Sequence, residues 1–244
     1  MTGRLYGLGV GPGDPELLTL KAHRILRSVP VVAYPAPDSG TSFARSIVAE
    51  YLTNDQIEIA IVVPMRVERF PAKDVYDQAS RAIASHLDSG RDVAVLCEGD
   101  PFFYGSFMYL YERLVETYPC EVVAGVSSLM ASSAALGRPL AARNDVLSIV
   151  PAPASDDVIC GHLATSDALA FIKVGRHFAR LRNLIEAAGL LDAAAYLERV
   201  SLDQQIIKPL AAVHDDAAPY FSMILIYKGA EEWISNLPLE GTTP

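Results

Sequence analysis

The stretch Leu5-Tyr6-Gly7-Leu8-Gly9-Val10-Gly11-Pro12-Gly13-Asp14 places glycine at every second position of a short apolar run. A strand that ends this way can turn sharply, because glycine reaches backbone angles closed to other residues and carries no Cβ. Asp14-Pro15-Glu16 then reads as a helix opening, with Asp14 as cap, Pro15 in the first turn, and Leu18, Ala22 and Ile25 on one face. Strand, glycine loop and helix in succession form the opening unit of an α/β sheet. The loop is not a dinucleotide fingerprint. Counted from Gly7 the third glycine of Gly-x-Gly-x-x-Gly falls on Pro12, and counted from Gly9 it falls on Asp14. The second strand also ends in Tyr34-Pro35-Ala36-Pro37, where an acid for the ribose is expected. No Gly-Lys-Ser or Gly-Lys-Thr follows, so a phosphate loop is excluded as well.

Outward from this unit, apolar runs alternate with amphipathic stretches. The expected strands are 5–9, 31–34, 57–63, 93–97 and 121–124, joined into a mainly parallel sheet. Asp74 is expected to cap a helix whose Ala79, Ile83 and Leu87 point inward, with Gly90 as its stop. Beyond residue 124 the expected strands are 146–150, 169–174, 194–198 and 221–227. The last two lie too close for a crossover helix, which predicts a mixed sheet. The expectation is two α/β domains, residues 1–124 and 125–244.

The composition narrows the function. A hydrophobic content of 51% supports a large core, while 29 acidic and 20 basic side chains give a formal charge of -9. That balance argues against general affinity for nucleic acid or anionic membranes. Cys97, Cys120 and Cys160 lack metal or disulfide spacing, and the five histidines show no ligand spacing, so no metal is expected. The first residues show no leader pattern, and no apolar run reaches the roughly 18 residues of a membrane span. A cytoplasmic protein with reduced thiols is expected.

Ligands of open α/β sheets gather beyond the carboxyl ends of the strands. Three further segments stand there: Glu98-Gly99-Asp100-Pro101-Phe102-Phe103-Tyr104-Gly105, Gly125-Val126-Ser127-Ser128, and Lys173-Val174-Gly175-Arg176-His177. Singly, each reads as a capped turn. Together with the opening loop, and in this order, the chain resembles the tetrapyrrole methylases over nearly its whole length. Val63-Pro64-Met65, Cys97 to Pro101 and Gly137-Arg138-Pro139-Leu140 look most like the precorrin-2 C(20)-methyltransferases within that family.

The resemblance implies a two-domain enzyme that binds S-adenosylmethionine between its domains, mainly through main-chain groups, and releases S-adenosylhomocysteine. Carried over by position, Pro12, Glu98, Gly99, Asp100, Ser127, Ser128, Val174, Val200 and Ser201 would line the cofactor pocket. The family often has a larger residue such as methionine at the position of Val174. Precorrin-2 would be methylated at carbon 20 to give precorrin-3A, and a homodimer is usual in the family. Gly11, Gly13 and Asp14 would face the macrocycle or cofactor. Asp100, beside Phe102 and Phe103, is the expected general base for the proton lost from carbon 20. Arg66, Arg69, Arg138, Arg143, Arg176 and His177 would supply local positive charge for the carboxylate-rich tetrapyrrole. The rival readings are a methylase acting on the cobalt-chelated substrate or at another carbon, and a noncatalytic tetrapyrrole carrier.

Overall fold

The computed structural model describes residues 2–63 and 70–241, and these divide into two compact units, residues 1–128 and 129–244. In the first unit five strands, β1 (Leu5–Gly9), β2 (Val31–Ala36), β3 (Ile57–Val62), β4 (Val93–Cys97) and β5 (Cys120–Val123), form one sheet in the order β3-β2-β4-β1-β5. Every pairing in it is parallel, with Leu5 opposite both Val93 and Cys120. A parallel sheet needs cover on both faces. The helices α3 (Phe70–Asp88) and α4 (Phe107–Leu114) supply one side, where Ile83, Leu87, Phe107 and Leu110 pack on Val31, Val93 and Val95. The helices α1 (Leu20–Ser28) and α2 (Phe43–Ile47) supply the other, with Ala22, Leu26 and Ile47 against Leu8, Val32, Ala94 and Leu96.

Two helix starts differ from expectation. Asp14 does accept the Glu16 N–H at 2.8 Å, but it caps only a single 3-10 turn, Pro15–Leu17, after which Leu18 is extended. The α-helix proper begins at Leu20, where the Thr19 hydroxyl takes the Ala22 N–H at 3.2 Å and provides the stronger start. Asp74 lies inside α3 rather than at its cap, although Ala79, Ile83 and Leu87 are buried as expected.

The second unit begins within α5 (Ser128–Leu136) and holds β6 (Leu147–Pro151), α6 (Asp156–Thr165), β7 (Ala168–Ile172), α7 (Phe178–Ala187), β8 (Ala194–Glu198), β9 (Ile206–Pro209), β10 (Ser222–Tyr227) and the short α8 (Glu232–Ser235). Its sheet runs β6-β7-β10-β8-β9, with β6 and β7 parallel and the other pairs antiparallel. The mixed sheet is as expected. Strand β9 was not foreseen: it is a four-residue edge strand ending in Pro209, too short to show alternation. Phe171, Phe178, Leu181, Ile185 and Ile224 are fully buried at the centre of this unit.

Candidate active site

Because β1 lies between β4 and β5, the loops that follow these three strands meet at one edge of the first sheet. Glycine makes that meeting possible. A Cβ on Gly9 would stand 2.5 Å from the Gly125 Cα and 2.7 Å from the Gly99 carbonyl oxygen, and one on Gly125 would stand 2.0 Å from that oxygen. Gly11 and Gly99 form a two-way bridge, Gly99 N–H to Gly11 O at 2.8 Å and Gly11 N–H to Gly99 O at 3.3 Å, with φ of 82° and 64°. Those angles belong to glycine. Two residues before Gly9 in the same strand, Gly7 leaves space for the buried ring of Phe107, whose nearest atom would be 2.5 Å from a Cβ. The alternating glycines of the first strand therefore serve close approach at 7 and 9 and backbone conformation at 11.

Asp100 holds this edge together. Its Oδ1 accepts the N–H groups of Phe102 at 2.9 Å and Phe103 at 3.1 Å, and its Oδ2 accepts that of Gly125 at 3.0 Å. The carboxylate thus ties the turn after β4 to the loop after β5. Glu98 is partly buried, and that burial raises its carboxyl above the ordinary value. Sequence reasoning did not find this property, since nothing in Glu98-Gly99-Asp100 distinguishes the two acids. Pro12 and Gly13 are buried, Ser127 is half-buried, and Ser128 is exposed as the first residue of α5. Gly11, Gly99, Asp100 and Gly125 are thereby brought into one interlocked edge.

In the second unit, the segments after β7 and β8 are tied to residues 218–221. Ala218 donates to the Gly175 carbonyl at 3.1 Å, and Arg199 donates to that of Phe221 at 2.9 Å. Three non-glycine residues here have positive φ: Lys173 at 56°, Arg199 at 49° and Ser201 at 67°. Such angles cost energy and gather at functional segments. The Val174 side chain is fully buried in the hydrophobic core, so it offers a ligand its backbone only. Val200 is buried, and the Ser201 N–H donates to Gln205 Oε1 at 3.0 Å.

The arginines divide. Arg66 and Arg69 lie outside the described residues. Arg176 is exposed, and its Nε donates to His177 Nε2 at 3.4 Å; burial, then Arg176 and Arg180, lowers the pKa of that imidazole. Arg143 pairs with Glu231 at 2.6 Å while remaining largely exposed. Arg138 departs from expectation: it is 5% exposed, and its guanidinium donates to the carbonyls of Ile234 at 2.8 Å and Ser235 at 3.2 Å. Its donors serve the end of α8, so it is removed from the substrate set.

Among the described residues no group of three or more His, Cys, Asp or Glu could hold a metal, and no helix is long and apolar enough to cross a membrane. Cys97, Cys120 and Cys160 are free thiols.

The sequence profile described as Tetrapyrrole (Corrin/Porphyrin) Methylases matches residues 4–213. The cobalamin biosynthesis protein CobIJ of Mycobacterium tuberculosis is 41% identical over 93% of the chain, which spans only 46% of that longer protein. The precorrin-2 C(20)-methyltransferase of a Sinorhizobium species is 39% identical over 92% of the chain and 95% of its own length. Among solved structures, the uroporphyrin-III C-methyl transferase of Thermus thermophilus complexed with S-adenyl homocysteine superposes with a TM-score of 0.67 at 24% identity, covering 91% of this chain and 97% of its own.

Proposed function

Given that the chain belongs to the tetrapyrrole methylases, we propose that it is an S-adenosylmethionine-dependent methyltransferase that converts precorrin-2 to precorrin-3A by methylating carbon 20. The observation that carries this reading is the interlocked glycine edge of the first unit. An edge built where a Cβ would collide presents peptide groups rather than side chains. That suits a cofactor held mainly through the backbone. The near full-length match to the Sinorhizobium enzyme supports the choice of substrate and carbon.

When bound, S-adenosylmethionine supplies an electrophilic methyl group on a sulfonium. The chain's own residues have a positioning task, because the electron-rich ring carbon needs no covalent help from the protein. The backbone of Gly11 to Gly13 and of Glu98 to Asp100 is proposed to hold the donor, with Ser127 and Ser128 offering hydroxyls. Val174, Val200 and Ser201 are proposed as further cofactor residues, through their peptide groups. Asp100 fixes two of these loops in register through its three amide bonds. Arg176 and His177, with Arg66, Arg69 and Arg143, are assigned to the substrate's carboxylates. Free thiols agree with a cytoplasmic setting, and a homodimer is proposed on family grounds.

The test is incubation of purified protein with methyl-labelled donor and precorrin-2, the product being located by NMR and weighed by mass spectrometry. Label at carbon 20 supports the reading. Label at another carbon, or preference for the cobalt-chelated substrate, assigns the chain to a different member of the family. Tetrapyrrole binding without affinity for S-adenosylhomocysteine makes it a carrier instead.

A further inference from the structure

Strand β8 is buried along its whole length, yet it ends on a charge: Glu198 is 7% exposed. A carboxylate withdrawn from water is costly unless partners satisfy it. Glu198 has two. Its Oε2 accepts the Tyr196 hydroxyl at 2.9 Å, and its Oε1 is ion-paired with Arg199 Nη1. The first contact is what a strand provides, because residues two apart share a face. The second is not, because neighbours in an extended strand point to opposite faces. Arg199 has left the extended conformation, with φ of 49°, and its guanidinium returns to the preceding residue.

The turn that follows is held at three further points. The Arg199 N–H donates to the Phe221 carbonyl at 2.9 Å, the Leu202 N–H to the Arg199 carbonyl at 3.1 Å, and the Ser201 N–H to Gln205 Oε1 at 3.0 Å. Neither of its positive φ angles, 49° at Arg199 and 67° at Ser201, falls on glycine. Such a backbone persists only where surrounding bonds impose it. Resting on the methyltransferase reading above, in which the peptide groups of Val200 and Ser201 serve the cofactor, we infer that Glu198 is a positioning residue. Through its ion pair with Arg199 it latches the turn 199–201 in the shape that presents those peptide groups to the methyl donor.

The latch is anchored at both ends. On one side Tyr196 ties the carboxylate to the core of the second unit, where its ring packs edge-on against Phe178 with centroids 5.4 Å apart. On the other, the Arg199 N–H ties the turn to the residue that precedes β10. A turn already ordered before a ligand arrives loses less conformational freedom on binding. Its contribution is equal for the bound donor and for the transition state, so it is expressed in donor affinity rather than in the methyl-transfer step.

The test compares wild type with Glu198→Gln, Arg199→Gln and the double variant. Glutamine at 198 keeps an acceptor for the Tyr196 hydroxyl and loses the ion pair. In either single variant the S-adenosylhomocysteine Kd and the donor KM are expected to rise about tenfold, while kcat at saturating donor and the tetrapyrrole KM stay within about threefold. The double variant should bind no more weakly than the weaker single one, because the two side chains act as a unit. Arg199→Lys keeps the cation and should recover part of the affinity. Amide hydrogen exchange at Arg199, Ser201 and Leu202 should quicken about tenfold or more in Glu198→Gln. Affinity within about twofold of wild type, kcat falling as steeply as affinity, or losses that multiply in the double variant each overturns the assignment. Should Glu198→Gln fail to fold, Arg199→Gln, changed at a partly exposed side chain, reads the same latch. A wild type that binds no S-adenosylhomocysteine overturns the methyltransferase reading instead. Exchange at the three amides needs no ligand and still decides the latch, which unchanged rates in Glu198→Gln would refute.

Discussion

A Cβ added to Gly125 would lie 2.0 Å from the carbonyl oxygen of Gly99 and 2.7 Å from the Cα of Gly9. Both obstacles are backbone, which cannot swing aside as a flexible side chain would. Gly125→Ala is therefore expected to force the loops after β1, β4 and β5 apart. Overpacking of this kind costs about 1–3 kcal/mol. A drop in the unfolding free energy from urea titration by that amount, with a loss of S-adenosylhomocysteine affinity of about tenfold by calorimetry, is the expected result. Unchanged stability and affinity would show that the edge tolerates separation.

Asp100→Asn replaces one acceptor oxygen with an NH2 group. Whichever orientation the amide takes, either the Gly125 N–H or the pair from Phe102 and Phe103 then faces a donor. A buried or half-buried donor left without an acceptor costs about 1–3 kcal/mol. Stability and cofactor affinity should fall together, while the pH–rate profile keeps its shape. Turnover lost at full stability and affinity would restore Asp100 to the role of base that its aromatic neighbours first suggested.

The sheet of the first unit was legible because its strands are short apolar runs punctuated by glycine and proline; Val93–Cys97 was placed to the residue. What sequence could not supply was strand order. The partner of Gly9 is Gly125, more than a hundred positions away, only because β1 pairs with both β4 and β5. Glycine spacing thus announced a tight loop but not its neighbours. Arg138 was misread for a related reason. Its charge suggested exposure, whereas the carbonyls that accept its protons lie at Ile234 and Ser235, near the far end of the chain.

The pair Asp145 and Tyr227 predicts a definite pH dependence of stability. Asp145 Oδ2 accepts the Ala142 N–H at 2.9 Å and the Tyr227 hydroxyl at 2.8 Å, and these bonds, the first foremost, lower its folded pKa. Its contribution is therefore present above its unfolded value of about 3.9 and is lost as pH falls through the lower folded value. Burial, and then the bond to Asp145, raises the pKa of Tyr227. That contribution is present below about pH 10 and is lost as pH rises through the folded value. The Tm difference between wild type and Asp145→Asn should be constant near neutrality and shrink in acid. The difference for Tyr227→Phe should shrink in alkali. Differences that do not change with pH would sink the argument.

Arg138→Met separates a structural from a substrate-binding arginine. The guanidinium lies 5.9 Å from the centroid of the Tyr227 ring and satisfies two carbonyls at the end of α8. Methionine fills much of the volume but donates nothing, so buried acceptors lose their partners at a cost of roughly 2–4 kcal/mol. Arg138→Lys keeps the charge but can reproduce only part of the planar fork, and should recover part of the loss. At temperatures where the variants remain folded, the KM for the tetrapyrrole should stay within about twofold of wild type, since about tenfold would correspond to a lost contact of 1.4 kcal/mol. If instead KM rises steeply while the unfolding midpoint holds, Arg138 leaves the α8 carbonyls to reach the substrate, and the structural assignment fails.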